Sequence, residues 1–230
     1  MSDSSTNNAS FSDRLISFVS RFRKALIFAG SALLVAIIAA TVVSQVVSAR
    51  NDASIREAER VHELWDDFDD ESDDSGQVEE DLRDGIAQIV DEYPRTYGAL
   101  RARMILAELE WTLENWEAAH DAYMAVVEEH RQNHLTGPAL FSAAAAAEQI
   151  DDLDRARELY GRIVDGQGDP TAEVSHALFN LGRIAEAQSD VNLALEYYNR
   201  LIDEHSESNW TNLGRNRIIW LTSQGAGADS

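Results

Sequence analysis

Hydrophobic positions recur along this chain in three ladders that share one spacing. The first ladder has intervals of 37, 37 and 38 residues, and its members are Ile86, Tyr123, Tyr160 and Tyr198. A second ladder lies one helical turn earlier, at Leu82, Ala119, Ala156 and Ala194. A third lies three residues later, at Ile89, Val126, Ile163 and Leu201. A period of this size is typical of stacked helix-turn-helix units, because a single unit cannot bury its apolar stripe without a neighbour.

The pattern between the ladders predicts an all-α fold, a short solenoid of about three and a half helix-turn-helix units with a capping helix. Short polar turns separate the paired helices, at Glu114-Asn115, Asp151-Asp152 and Ser189-Asp190. Thr171, directly after Pro170, is placed to cap a helix. The predicted helices are 78–93, 97–113 with 116–131, 138–150 with 153–165, 171–188 with 191–205, and a capping stretch 210–221.

Small residues stand where the two helices of a unit are expected to cross closely, at Ala107, Ala144 and Gly182. Leu181-Gly182 in a first helix, with Ala194 and Tyr198 in the second, resembles the tetratricopeptide repeat family. The resemblance covers about residues 78–222 and is most specific from Leu178 to Leu201. Glu110 departs from it, because that site is usually apolar or aromatic in the family. The resemblance implies a protein-binding role, with ligands in a concave groove formed by the first helices.

Helical spacing then defines the residues of that groove, on the face of the first helices that is not used for stacking. Four are large and apolar, which would suit an apolar or aromatic peptide or a partner helix. An alternative remains open, in which these side chains belong to the core or contact the capping helix. The candidate groove residues are Arg101, Met104, Glu108, Trp111, Phe141, Glu148, His176, Phe179 and Arg183.

Residues 25–49 contain no charged side chain and predict a membrane-spanning helix. As a helix this stretch is about 37 Å long, enough to cross a hydrocarbon core of about 30 Å. Basic residues precede it and acidic residues dominate after it, so the positive-inside rule places the N-terminus in the cytoplasm and the body outside. A signal peptide cleaved near Ala49 is the alternative. The predicted organisation is a basic cytoplasmic segment 1–24, a membrane helix 25–49, a linker helix and acidic loop 50–77, the repeat domain 78–222 and a disordered tail 223–230.

The composition of the chain disfavours several classes of binding and catalysis. The chain carries 19 basic and 41 acidic residues, a formal net charge of −22, which disfavours binding to nucleic acid. No cysteine is present. The acidic run 66–76 has Leu82 where a calcium loop needs a glutamate, and His130 and His134 lack the internal glutamate of a zinc hydrolase. We therefore expect no metal, no cofactor and no enzymatic activity.

The layout as a whole resembles the membrane-anchored YfgM-type proteins, which accompany the Sec translocon and periplasmic chaperones. That resemblance implies a single-pass protein of the inner membrane with a periplasmic repeat domain, acting as an adaptor or chaperone-like module for exported clients. The alternative is a structural or self-associating scaffold for envelope assembly or cell-wall processes. A fold of this kind hosts many partners, so no motif in the sequence selects between the two.

Overall fold

The structure, a computed structural model, describes residues 6–129, 134–166 and 173–228, and in these ranges every regular element is an α-helix. The predicted all-α fold class is confirmed. The predicted cap at Thr171 lies outside the described residues. The helices are α1 Thr6–Asp66, α2 Ser75–Glu92, α3 Tyr97–Thr112, α4 Trp116–Glu129, α5 Thr136–Gln149, α6 Leu153–Val164, α7 Val174–Ala187, α8 Val191–Glu204 and α9 Asn209–Ala228.

The chain divides into two compact units, Met1–Asp52 and Ala53–Ser230. In the first unit every side chain from 27 to 50 is exposed, and most of them up to residue 47 are apolar. The second unit holds the remainder of α1 and all eight following helices of the described chain. Its last helix, α9, reaches Ala228 and therefore extends into the segment predicted to be a disordered tail.

The short turns between paired helices have one repeated geometry. Ser189, after α7, has a left-handed backbone with φ of 64°, and its N–H bonds to the Glu186 carbonyl at 2.9 Å. The next N–H, of Asp190, bonds to the Ala185 carbonyl at 2.9 Å, which completes a Schellman motif. The Asp190 carboxylate then caps α8 by accepting from the Leu193 N–H at 3.0 Å. The same left-handed position recurs at Glu114 and Asp151.

The ladder residues form the core of the second unit, as the spacing predicts. All twelve positions are buried, since each of them is at most 4% exposed. Tyr198 shows why small residues line the crossing: a Cβ added at Gly182 would overlap its ring. In α9, a Cβ added at Gly214 would lie 3.2 Å from Leu201 and 3.7 Å from the Tyr198 ring. The tyrosine therefore sets the spacing of its own helix pair and also contacts the next helix.

The end of α1 packs as part of the repeat unit. Ala58 and Val61 are buried in one hydrophobic cluster with residues of α2 and α3. Contact is close, because a Cβ added at Gly98 would overlap the Ser54 backbone. Residues 53–66 therefore pack with α2 and α3 within the second unit.

Glu110, the departure from the repeat pattern, is buried on α3 and paired. It accepts from the Arg83 guanidinium at 2.5 Å and from the Asn115 amide at 2.9 Å. Burial acts to raise its pKa, but the hydrogen bonds from Arg83 and Asn115 outweigh burial, so the pKa lies below its ordinary value. A charged residue is tolerated here because a neighbouring helix supplies the opposite charge.

Candidate protein-interaction site

Two adjoining clefts lie on the face predicted to be the groove. The larger, the apolar cleft, has a volume of about 410 Å³ and is lined by Trp65, Glu108, Trp111, Thr112, Tyr123, Phe141, Ser142 and Ala145. The smaller, the side cleft, has a volume of about 180 Å³ and is lined by His62, Tyr97, Arg101, Met104, Ile105, Glu108 and Leu135. Glu108 lines both, so the two clefts meet at its side chain.

The structure brings together one part of the predicted groove. The predicted residues that line the clefts are Arg101, Met104, Glu108, Trp111 and Phe141. The clefts also include His62 and Trp65 of α1, which the prediction placed in the linker. Their signal in the sequence was the apolar face of residues 53–68, which could have been assigned to a helix pair.

The other predicted residues lie nearer α9, where an aromatic cluster covers them. The His176 ring stacks on Trp210 at 3.6 Å between centroids and lies 4.2 Å from Phe141. Phe179 lies 5.3 Å from Trp210 and 5.8 Å from Tyr198. Burial, together with the charge of Arg183, lowers the pKa of His176 to about 4, so its imidazole is neutral at pH 7. At this end the first helices contact the capping helix, which was the alternative left open by the sequence.

Glu148 and Arg183, also predicted groove residues, bond to each other. Glu148 accepts from the Tyr160 hydroxyl at 2.9 Å and from the Arg183 guanidinium. The next unit repeats this arrangement, with Glu186 accepting from Tyr198 at 2.5 Å and from Arg217. We call each group a Tyr–Glu–Arg set. The charge of each glutamate is therefore paired within the domain, between α5 and α7 in one set and between α7 and α9 in the other.

The apolar cleft combines an aromatic wall with a few polar side chains. Trp111 contacts Trp116 edge to face, with 5.0 Å between ring centroids, and forms one wall. Burial and the charge of Glu108 raise the pKa of Tyr123 to about 12, so its hydroxyl stays protonated and can donate. Burial also raises the pKa of Glu108, an effect that His62 partly opposes. An aromatic wall with a few polar groups fits an apolar side chain with a polar neighbour.

In the described ranges, no three His, Asp or Glu side chains form a group that could hold a metal ion. His134 is exposed before α5, and His130 lies outside the described residues. Within the same ranges, one helix is long and apolar enough to cross a membrane by length and composition, in the segment Arg21–Asp66.

The fold and its ladders define a helical-repeat protein. Residues 176–208 match the tetratricopeptide repeat family, so the chain carries a tetratricopeptide repeat around α7 and α8. Among solved structures, the crystal structure of MamA is similar, with 14% sequence identity and a TM-score of 0.44 over 63% of this chain and 83% of MamA. No curated protein matches the chain.

Proposed function

We propose that this chain is a membrane-anchored, extracytoplasmic adaptor or chaperone-like protein whose repeat domain binds segments of other proteins. The observation that carries the proposal is the apolar cleft, an open aromatic-lined site on the face of the first helices. Tetratricopeptide repeats are protein-interaction modules, and a cleft of about 410 Å³ is large enough for a bulky side chain of a partner.

The first unit of the chain supports the anchor. Its apolar side chains from Ile27 to Val47 are exposed, and burying them needs a bilayer or another apolar partner. Arg21, Arg23 and Lys24 precede the span, which favours a cytoplasmic N-terminus. A C-terminal reporter enzyme should then be active only outside the cytoplasm, and the protein should stay in the membrane pellet after a carbonate wash. Release by carbonate would instead favour cleavage near Ala49.

Crosslinking tests the adaptor role and its proposed location near the Sec translocon. A benzophenone amino acid in place of Thr112, at the mouth of the apolar cleft, should crosslink exported clients, chaperones or Sec components in intact cells. The same probe in place of Glu128, exposed on α4 and outside the cleft lining, is the control. Trp111→Ala should reduce the Thr112 crosslinks while the helical circular dichroism signal is kept. Equal crosslinking from both positions would refute a binding role for the cleft.

A second candidate, a self-associating scaffold, is favoured by the outer face of α9. Leu213, Ile219 and Trp220 are exposed there, with Trp220 47% accessible and the Arg217 guanidinium over its ring at 4.6 Å. Exposed aromatic and aliphatic side chains on a terminal helix suit contact with another copy. Trp220→Ala separates the candidates, because it should reduce only copy-to-copy crosslinks, whereas Trp111→Ala should reduce only crosslinks to other proteins.

A further inference from the structure

Aligning the repeats by their 37- to 38-residue spacing shows that the apolar cleft lies where a Tyr–Glu–Arg set would be expected. Trp111 stands 37 residues before Glu148, and Ala145 stands 38 residues before Arg183. Only the tyrosine remains, as Tyr123. The Tyr123 hydroxyl bonds to Ser142 of the next first helix, and the nearby Glu108 carboxylate acts on it through its charge alone. Trp111 and Ala145 therefore stand in place of a glutamate and an arginine. Without that ion pair, the aromatic wall of the cleft is exposed.

Counting back by one repeat from Arg183 gives Ala145, and counting back by one more gives Glu108. This repeat position therefore carries a negative charge in α3 and a positive charge in α7. In the described ranges Glu108 makes no hydrogen bond or ion pair, although its side chain is half-buried. The ionisable groups beside it are His62 of α1 and Tyr123 of α4, and no arginine or lysine pairs with it in the described ranges. A half-buried carboxylate without a cation is costly, whereas Glu148 and Glu186, the glutamates of the two later sets, each pair with an arginine.

The positions of Glu108 and Trp111 on α3 define which chemical groups a ligand of the cleft needs. Glu108 and Trp111 are three residues apart on α3, so their side chains lie on one face with Cβ atoms about 5–6 Å apart. A ligand that fills the aromatic wall and neutralises Glu108 therefore needs a bulky apolar group and a cation on neighbouring side chains. The net charge of −22 acts in the same direction, because it attracts positively charged partners and repels negatively charged ones.

We infer that the apolar cleft selects protein segments in which a bulky apolar residue lies next to a lysine or arginine, with the apolar side chain against Trp111 and the cation paired to Glu108. The inference rests on the proposed function, since it specifies the partner of the same site. In effect, the partner restores the charge pair that the later units make internally.

The test uses full-length protein in mild detergent and three fluorescently labelled peptides of equal length. The peptides differ at one residue beside a tryptophan, which is lysine, glutamine or glutamate. We expect the lysine peptide to bind most tightly and Glu108→Gln to weaken it by roughly tenfold or more, as for loss of a charge-assisted hydrogen bond. Glu128→Gln, which removes the same charge from an exposed site on α4, should leave the affinity within about twofold, since surface charges contribute little.

The outcomes separate the inference from the proposed function. Equal weakening by Glu108→Gln and Glu128→Gln would mean that net charge alone attracts the peptide, and would overturn the inference. Binding of all three peptides with equal affinity, lost in Trp111→Ala, would overturn it while leaving the cleft as a binding site. Failure of the lysine peptide to bind the unaltered protein would also overturn it, and the Thr112 crosslinks would then judge the proposed function alone.

Discussion

Replacing Gly182 by alanine should destabilise the domain, although the same change elsewhere in a helix is stabilising. Gly182 lies in α7 against the ring of Tyr198, and three ring atoms lie where an added Cβ would overlap them. The ring cannot withdraw freely, because its hydroxyl bonds to Glu186 at 2.5 Å and Phe179 packs against it with 5.8 Å between centroids. The cost is therefore that of an overpacked core, about 3 kcal/mol at the upper end of the usual range.

Helix propensity opposes this cost, since alanine is favoured over glycine in a helix by about 1 kcal/mol. The net expectation for Gly182→Ala is a loss of about 2 kcal/mol in the free energy of unfolding, or a fall in Tm of about 4–8 °C for a domain of this size. The matched control is Gly161→Ala in α6, where an added Cβ would meet nothing within 4 Å. That change should be neutral or stabilise by up to about 1 kcal/mol.

The assay is urea and thermal unfolding of the full chain in mild detergent, followed by far-ultraviolet circular dichroism. Combining Gly182→Ala with Tyr198→Leu should cost less than the sum of the two single changes, because the smaller side chain relieves the overlap. Equal or greater stability of Gly182→Ala, or an additive double mutant, would show that the tyrosine does not set the distance between α7 and α8.

Further predictions concern charges and helix ends. The folded pKa of Glu110 is lowered, so its stabilising contribution is present above the unfolded pKa and is lost as the pH falls through the folded pKa. Glu110→Gln should therefore make the free energy of unfolding depend less on pH in the acid range. The folded pKa of Glu108 is raised, so its contribution is lost as the pH rises through that value, and Glu108→Gln should increase Tm at pH 7 in the absence of peptide. Asp190→Ala should cost about 1 kcal/mol in urea unfolding by removing the cap of α8, whereas Ser189→Gly should stabilise by up to about 1 kcal/mol because glycine adopts the left-handed backbone without strain.

Much of the candidate site could be anticipated from helical spacing, and the rest depended on contacts between distant segments. Arg101, Met104, Glu108 and Trp111 share a face of α3 because residues three and four apart on a helix are neighbours, and Phe141 joins them from α5. Spacing along one helix does not reveal what covers that face. Trp210 covers the end of the predicted groove near α9, where it contacts Phe179, 31 residues earlier. Trp65 lines the apolar cleft together with Trp111, 46 residues later.

The sequence by itself determined the architecture of the repeats, because a 37-residue period of apolar and small residues has one favourable solution, the burial of successive helix pairs against each other. It also determined the long uncharged span and the excess of negative charge. Only the tertiary structure decided that residues 53–66 pack with α2 and α3, that Arg83 pairs with Glu110, and that no arginine or lysine of the described residues pairs with Glu108. Each of these depends on which side chains meet between different helices, and the pattern along a single helix carries no information about such contacts.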